Sequence, residues 1–128
     1  MRRRSLIAAA PVLLAAACTS APPAPPPIAV FFTADSATLD AEAQTVVRGA
    51  AEAAKARPGL DVVVLGFAGP AGGVAYNVAL SEARAQHVAD MLVREGVARA
   101  RIRISPRGPV PFEAIATESR RVEIRIGG

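Results

Sequence analysis

The sequence is poor in the residues that usually build metal sites, disulfides and large aromatic cores. Its 128 residues include one cysteine, one histidine and no tryptophan, and aromatic residues make up only 4%. Because Cys18 has no partner in the chain, an intramolecular disulfide is excluded. His87 lies in no metal-ligand spacing, so we interpret it as an ordinary helix residue and predict no metal and no cofactor. The core is expected to consist mainly of Val, Ile, Leu and Ala.

The residue combinations that carry catalysis are also missing. We find no Ser/His/Asp set, no cysteine–histidine cluster and no pair of carboxylates at a suitable spacing, and Ser81 has no base or acid arranged around it. We therefore predict that the protein is not an enzyme. The alternative, a wall-directed enzyme, has only the predicted extracellular setting in its favour.

Lysine is scarce too. Its scarcity decides whether a glycine-rich turn could bind nucleotides; this turn follows a hydrophobic segment in DVVVLGFAGPAGGVAYN, residues 61–77. A Walker loop needs a lysine in the turn, but Lys55 is the only lysine. A dinucleotide fingerprint needs G-x-G-x-x-G, and Ala68 stands where the second glycine belongs. The turn is therefore not predicted to bind nucleotides.

The first residues have the composition of a targeting segment. Arg2 to Arg4 form a basic region, and Leu6 to Ala17 form an apolar run of 12 residues, too short to cross a bilayer as a helix. We predict that residues 1–17 are a signal peptide of the lipoprotein type. The three arginines of this segment account for most of the net charge of +4, and without them 12 basic residues face 11 acidic ones. Nucleic-acid binding is therefore not predicted.

Cys18 follows the apolar run directly, and LLAAAC resembles a bacterial lipobox, in which the cysteine is acylated. We favour acylation of Cys18, which would hold the protein on a membrane through its acyl chains. Thr19, rather than Asp, follows the cysteine, as is compatible with sorting to the outer membrane. The alternative is ordinary cleavage after the alanines, which leaves a free thiol.

Residues 18–27 are predicted to be the anchor cysteine and a stiff spacer. Five of the ten residues in TSAPPAPPPI, residues 19–28, are proline, which favours extended polyproline II. A proline-rich ligand for a partner protein is the alternative.

Residues 28–128 are predicted to form the folded domain. IAVFF, residues 28–32, indicates a strand, and Asp40 is placed to cap a helix that ends before Pro58 and Gly59. The helix has one apolar face, made by Ala43, Val46, Val47, Ala50, Ala51 and Ala54.

The middle of the domain is expected to contain a strand, a loop and a longer helix. LDVVVLGF, residues 60–67, indicates a strand buried on both faces, and residues 68–75 a loop. A second helix is predicted over residues 76–96, ending at Gly96. Its inward face is assigned to Val78, Ala85, Val88, Ala89 and Leu92.

The last part of the chain is expected to add two strands. ARIRIS, residues 100–105, alternates as a half-buried strand. A loop over residues 106–119 with one helical turn near 113–117 then leads to the closing strand RRVEIRI, residues 120–126. The predicted fold is of the α/β class, an α+β sandwich with two long helices on one face of a four-stranded mixed sheet in the order β-α-β-α-β-β.

The second helix carries a motif. YNVALSEARAQHVADMLVREGV, residues 76–97, resembles the signature helix of OmpA-like domains, Y-N-x-x-L-S-x-x-R-A-x-x-V. FFTADSATL, residues 31–39, looks like the family's opening segment F-D-x-D-S-x-x-L, and SRRVEIRI, residues 119–126, looks like its closing N-R-R-V-E-I. The resemblance covers about residues 28–128 with the three motifs in the family's order.

This resemblance implies noncovalent binding of peptidoglycan through the diaminopimelate of its stem peptide. That group carries an ammonium and a carboxylate on one carbon, so a site needs an anion and a cation. In the family, an Asp in a G-H-T-D turn pairs with the ammonium and an Arg of the signature helix pairs with the carboxylate. Here the turn reads GFAG, so Gly69 stands in place of the Asp, whereas Arg84 matches the Arg.

The predicted peptidoglycan site is therefore degenerate. It comprises Arg84, Asn77, Asp35, Gly69 and Arg120, of which Asp35 matches the second acidic position of the opening segment. Loss of one charged hydrogen bond would weaken binding roughly ten- to hundredfold.

Each site residue also has a structural interpretation. Arg84 would be a solvated or salt-bridged helix residue, and Asn77 would only cap the helix. Arg120 and Arg121 would be solvent-facing residues at the start of the last strand.

Two functions follow. We favour a lipid-anchored protein of the outer membrane whose domain faces the periplasm and tethers the membrane to peptidoglycan. The alternative is an OmpA-fold interaction module of an envelope assembly that has lost wall binding and uses an exposed Phe67 as a contact surface for other envelope proteins.

Overall fold

The computed structural model describes residues 24–69, 72–109 and 119–127. The elements follow the predicted order, with a 3₁₀ turn at Arg99–Arg101 before the third strand. The strands and helices are β1 (Ile28–Phe31), α1 (Ala41–Lys55), β2 (Val62–Ala68), α2 (Val74–Arg94), β3 (Ile102–Pro109) and β4 (Arg121–Ile126).

The four strands form one mixed sheet in the order β1-β4-β2-β3. β2 and β3 are parallel, whereas β4 lies antiparallel to both β1 and β2. α2 makes the crossover between the two parallel strands and packs on both of them, while α1 packs against α2 and β1. The predicted architecture, two helices with a four-stranded mixed sheet, is therefore confirmed.

α1 begins where the sequence predicts. The carboxylate of Asp40 accepts a hydrogen bond from the backbone N–H of Ala43 at 2.8 Å, so the predicted cap is confirmed. This bond satisfies one of the N–H groups that have no partner inside the helix. The buried face consists of small and β-branched residues, which let the helix approach the sheet closely: Ala43, Val47, Ala50, Ala51 and Ala54.

α2 is longer at its start than predicted, and its inward face differs. It begins at Val74, with Gly73 at the N-cap, and it closes at Gly96, whose φ of +102° is the left-handed conformation expected of a glycine after a helix. Val78 is 37% exposed, so its placement on the inward face is wrong. Three polar residues of the motif take part in the buried face instead, which comprises Asn77, Ser81, Arg84, Ala85, Val88, Ala89, Met91 and Leu92.

The sequence pattern predicts β4 well but places the end of β3 too early. In β4, Val122, Ile124 and Ile126 are buried, as the alternation predicts. β3 continues to Pro109, so the loop predicted from residue 106 begins too early. β3 contains Pro106 and Pro109. Prolines are tolerated in this strand because it lies at the edge of the sheet, where one side of the strand has no neighbour that needs an N–H donor.

The core lies between the sheet and the two helices. Among the described residues it consists almost entirely of aliphatic side chains, as the scarcity of aromatics predicts, and Phe32 is the one aromatic member of this cluster. In the part of the chain that the structure describes, no helix is both long and apolar enough to cross a membrane. The predicted signal peptide, Cys18 and the helical turn near 113–117 lie outside the described residues.

Candidate functional site

The site is built around the guanidinium of Arg84. This side chain leaves the middle of α2 and meets the loop between β1 and α1 and the carboxyl end of β2. Its Nε donates to the carbonyl of Ser36 at 2.8 Å, and its Nη2 donates to the carbonyl of Thr33 at 3.1 Å. Its Nη1 donates to the carbonyl of Phe67 at 3.1 Å. One side chain therefore joins α2, β2 and the β1–α1 loop.

Arg84 is a buried cation without a carboxylate partner among the described residues. The residue is 0% exposed, and its guanidinium carbon lies 5.2 Å from the centre of the Phe32 ring. No carboxylate of the described residues lies within salt-bridge distance of it. The structural interpretation of Arg84 as a solvated or salt-bridged residue is therefore wrong. Carbonyl dipoles and an aromatic face take the place of both water and a counter-ion.

The buried position of Arg84 disfavours the charged form of its guanidinium. Burial lowers the pKa of Arg84, and repulsion from Arg120 lowers it further, while Tyr76 and Asp35 act in the opposite direction. Burial is the largest of these effects, so the charged guanidinium depends on its three carbonyl acceptors for stabilisation.

Asp35 lies at the turn of the loop that Arg84 holds. Its φ is +54°, and no other non-glycine residue of the described chain has a positive φ. Its Oδ1 accepts a hydrogen bond from the hydroxyl of Tyr76 at 3.1 Å, and both side chains face solvent. This hydrogen bond raises the pKa of the Tyr76 phenol. Asp35 is thus positioned from two sides, by its own loop and by the start of α2.

The other predicted site residues have different surroundings. Asn77 is buried in the first turn of α2, where its Nδ2 donates to the carbonyl of Gly73 at 3.1 Å. Since Gly73 is the N-cap, the interpretation of Asn77 as a helix cap is wrong. Gly69 directly follows the last residue of β2 and is half-buried. The structure therefore joins Arg84 to the loop that carries Asp35, and it places Asn77 and Gly69 at the two sides of the connection between β2 and α2.

Arg120 lies beside the end of β1. It is half-buried, and its carbonyl accepts a hydrogen bond from the backbone N–H of Phe32 at 2.9 Å. It lines a cavity of about 290 Å³ together with Phe31, Phe32 and Thr33. Because the ring of Phe32 and the carbonyl of Thr33 also contact Arg84, this cavity adjoins the buried cation.

Phe67 does not form the expected contact surface. It is only 9% exposed, and the guanidinium of Arg121 lies 4.2 Å from the centre of its ring. The same guanidinium pairs with Glu123 at 3.0 Å, which leaves the Arg121 side chain 18% exposed. The predictions of an exposed Phe67 and a solvent-facing Arg121 are therefore wrong, because each covers the other.

Gly66 and Ser81 fix the distance between β2 and α2. A Cβ atom on Gly66 would lie 2.1 Å from the backbone oxygen of Ser81, so only glycine fits there. The hydroxyl of Ser81 donates to the carbonyl of Val78 and accepts from the N–H of Gly108. Ser81 thus has a structural role in the contact that brings Arg84 to the end of β2.

Sequence reasoning missed the acceptors of Arg84 and the role of Tyr76. The three acceptors are backbone carbonyls, and a backbone carbonyl leaves no signal in residue identity. Tyr76 matched the helix motif, but its contact with Asp35 joins residues 41 positions apart. The described residues contain no group of three or more His, Cys, Asp or Glu side chains that could hold a metal ion.

Together, the sheet order, the two helices and the arginine that joins α2 to the β1–α1 loop define an OmpA-like α+β domain. A model of the OmpA family matches residues 31–125, and the chain belongs to the OmpA family.

Relatives and solved structures agree with this assignment. Over 98 residues the chain is 38% identical to the peptidoglycan-associated lipoprotein of Legionella pneumophila, covering 72% of this chain and 56% of that protein. It is 35% identical over 103 residues to the probable lipoprotein YiaD of Escherichia coli K12, covering 76% and 47%. The chain thus spans about half the length of these curated relatives. The crystal structure of the peptidoglycan-associated lipoprotein from Burkholderia pseudomallei superimposes with a TM-score of 0.69 at 25% identity, covering 77% of this chain and 88% of that one.

Proposed function

We propose that the protein is a non-enzymatic, lipid-anchored component of the cell envelope. In this proposal its domain binds peptidoglycan noncovalently and tethers the outer membrane to the cell wall. The observation that carries the proposal is the buried guanidinium of Arg84, which has no carboxylate partner among the described residues. Family membership and the similarity to two proteins named as lipoproteins support it.

The chemistry of Arg84 suits a ligand carboxylate. A guanidinium has five N–H donors, and three of the Arg84 donors have carbonyl acceptors. One N–H group on Nη1 and one on Nη2 have no acceptor among the described residues, and a carboxylate is an acceptor that suits a guanidinium. Because Arg84 is 0% exposed, a ligand can reach its N–H groups only after the side chains that cover Arg84 move.

The anchor and the location belong to the same proposal. Acylated Cys18 would fix the chain to the outer membrane, and residues 19–27 would span the gap between the membrane and a domain in the periplasm. A single domain held this way can contact the wall without any catalytic group.

One observation favours a second candidate, an interaction module without wall binding. The three carbonyl bonds of Arg84 hold the β1–α1 loop in place, and this structural role alone gives a reason for a buried arginine. The missing acid at Gly69 points the same way. The two candidates differ in whether the intact domain binds peptidoglycan.

Co-sedimentation of the full chain with purified sacculi in detergent tests the proposal. The informative variant is Arg84→Lys, which keeps the positive charge but loses the two-point geometry and most of the carbonyl bonds. Arg94→Lys is the matched control, since Arg94 lies in the last turn of the same helix and is exposed. We expect the unmodified chain and Arg94→Lys to sediment with sacculi, and Arg84→Lys to lose most of its binding.

Circular dichroism at the assay temperature separates loss of binding from loss of folding. Because Arg84→Lys leaves buried carbonyls with fewer donors, we expect it to be less stable, and binding is compared only where the variant is folded. If the folded unmodified chain fails to sediment, peptidoglycan binding is refuted and the interaction module is favoured. If Arg84→Lys binds as well as Arg94→Lys, the site does not lie at Arg84.

A further inference from the structure

The two edges of the sheet differ in how well they are protected against pairing with another strand. β3 forms one edge and contains Pro106 and Pro109. Two arginines of the same strand, Arg103 and Arg107, are exposed. Prolines and charged side chains on an edge strand hinder the addition of a further strand. β1 forms the other edge, and its sequence, IAVF, contains no proline and no charge. Among the described residues, only β4 pairs with β1, so this edge is open.

The pairing with β4 shows which backbone groups of β1 point away from the sheet. The N–H of Phe32, directly after β1, donates to the carbonyl of Arg120, directly before β4, at 2.9 Å. In an antiparallel pair, residues that bond to the partner strand alternate with residues whose N–H and C=O groups point outwards. Since the backbone groups of Phe32 point inwards, those of Ala29 and Phe31 point outwards. The open edge therefore offers two N–H donors and two C=O acceptors to an added strand.

The side chain of Phe31 is a further sign of an unoccupied edge. It is 46% exposed, although it belongs to a strand, and its partner in β4 is Arg121. No strand among the described residues lies on its other side. Because cross-strand neighbours cover each other, a strand added to β1 would bury part of this ring and stabilise the pairing.

A groove runs beside the open edge. It is the cavity of about 290 Å³ described above, and residues of β1 and of the first turns of α1 line it. Phe32, Ala43 and Val46 make part of the lining apolar. Asp40 and Glu42, at the start of α1, are exposed and add two carboxylates. The groove thus has an apolar part and a negatively charged rim.

We propose that the edge of β1 and this groove form a docking surface for an extended segment of a partner protein, with an apolar and a basic side chain on the face turned towards α1. The outward backbone groups of Ala29 and Phe31 bind the segment as a fifth strand. Side chains two positions apart in a strand lie on one face, roughly 7 Å apart. One of them can therefore enter the apolar part of the groove while the next reaches the carboxylates.

The charges of the groove decide which segments fit. Arg120 also lines it but is half-buried, whereas Asp40 and Glu42 are exposed. A lysine or arginine of the partner therefore meets the two carboxylates at the rim, while an acidic residue is repelled. None of these contacts involves Arg84, and the inference does not rest on peptidoglycan binding.

Fluorescence anisotropy of a synthetic peptide, titrated with the full chain in detergent, tests the inference. The peptide TVTKTVT, with a dye at one end and an amide at the other, places two valines and the lysine on one face and the threonines on the other. The peptide TVTETVT differs from it only in the charge of its central residue. We expect the lysine peptide to bind roughly tenfold or more tightly than the glutamate peptide.

Ala29→Pro blocks the edge with little harm to the domain. Because the N–H of Ala29 points outwards, proline removes no hydrogen bond between β1 and β4, and prolines are tolerated at such positions of edge strands. The added strand loses an N–H donor and meets the pyrrolidine ring instead. We expect this variant to bind the lysine peptide roughly tenfold or more weakly than the unmodified chain does.

Glu42→Gln removes one charge of the rim and leaves the edge intact. It should weaken binding of the lysine peptide roughly two- to fivefold, as expected for an exposed ion pair. Glu52→Gln is the matched control, because Glu52 is an exposed glutamate near the other end of the same helix, paired with Lys55. We expect this control to bind the lysine peptide as the unmodified chain does.

Circular dichroism shows whether each variant is folded before binding is compared. If the unmodified chain binds neither peptide, or binds both equally, the inference is overturned. It is also overturned if folded Ala29→Pro binds the lysine peptide as the unmodified chain does, because the peptide then docks elsewhere. If Ala29→Pro does not fold, the two glutamate variants decide, and equal binding by both of them overturns the inference.

The oligomeric state tests the other possible occupant of the edge, a second copy of this chain. Light scattering of the unmodified chain and of Ala29→Pro measures it. We expect both to be monomers in the absence of peptide. If the unmodified chain is a dimer that Ala29→Pro converts to a monomer, a second copy occupies the edge, and the proposal of a basic partner segment is overturned.

Discussion

Replacing Gly66 with alanine should strongly destabilise the fold. Gly66 lies in β2, a position where alanine would ordinarily cost little. Here the added Cβ would lie 2.1 Å from the oxygen and 3.0 Å from the carbon of the Ser81 carbonyl, and 3.1 Å from the Cβ of Ala85. The carbonyl belongs to the backbone in the middle of α2, so it cannot rotate away. Relief requires α2 to move about 1 Å or more from the sheet, towards an ordinary van der Waals separation.

The magnitude follows from what that movement disturbs. Forcing an extra carbon into a packed contact costs about 1–3 kcal/mol. The shift also stretches the hydrogen bond from the N–H of Gly108 to the Ser81 hydroxyl, now 3.1 Å long, which is worth about 0.5–1.5 kcal/mol. We therefore expect Gly66→Ala to lower the free energy of unfolding by about 2–4 kcal/mol and the Tm by about 10 °C or more.

Urea unfolding followed by far-ultraviolet circular dichroism measures this loss, since the chain has no tryptophan for fluorescence. Gly49→Ala is the matched control. Gly49 lies within α1, and a Cβ added there would have no atom within 4 Å, so alanine should stabilise the protein by about 0.5–1 kcal/mol. A Gly66→Ala variant as stable as the unmodified chain would refute the close contact between α2 and β2.

Two further changes test other parts of the structure. Asp40→Ala removes the hydrogen bond to the N–H of Ala43 and should lower the free energy of unfolding by about 1 kcal/mol in the same assay. For Glu123, burial by itself raises the pKa, but hydrogen bonds from Arg125 and Arg121 outweigh it and lower the pKa from its ordinary value of 4.5. Its charged form therefore stabilises the fold above about pH 4.5, and this contribution is lost as the pH falls through the folded pKa. Glu123→Gln should flatten the acid side of the stability profile.

The refuting results for these two changes are equally definite. An unchanged free energy of unfolding in Asp40→Ala would mean that the cap does not stabilise α1. A Glu123→Gln variant that loses stability with acid as steeply as the unmodified chain would assign that loss to other carboxylates.

Most of the fold could be predicted from local patterns. The alternation of Val122, Ile124 and Ile126 places one face of β4 in the core, because successive side chains of a strand point to opposite faces. Asp40 marks the start of α1, because a helix start needs an acceptor for its free N–H groups. Gly96 marks the end of α2, because a helix end favours a residue in the left-handed conformation. These features depend only on residues that are close together in the chain, so they can be predicted from the sequence.

The errors arose where polar residues are buried and apolar ones are exposed. The motif residues Asn77, Ser81 and Arg84 lie on the inward face of α2, while Val78 is left outside. Hydropathy could not assign this face, because Asn77 and Ser81 donate to carbonyls of the preceding turn, and Arg84 is satisfied by carbonyls that only the folded chain brings to it. Phe67 was misplaced for the same kind of reason, since the side chain that covers it comes from a neighbouring part of the sheet.

The sequence by itself determined the succession of strands and helices and the OmpA-like helix motif. Only the tertiary structure decided that Arg84 is buried against three carbonyls, and that Asp35 lies in a strained turn beside Tyr76. The physical reason is that these contacts join residues 17 to 51 positions apart, and many use backbone atoms. Local preferences set where elements form, whereas the close approach of α2 to β2 at Gly66 brings Arg84 to the carbonyl of Phe67.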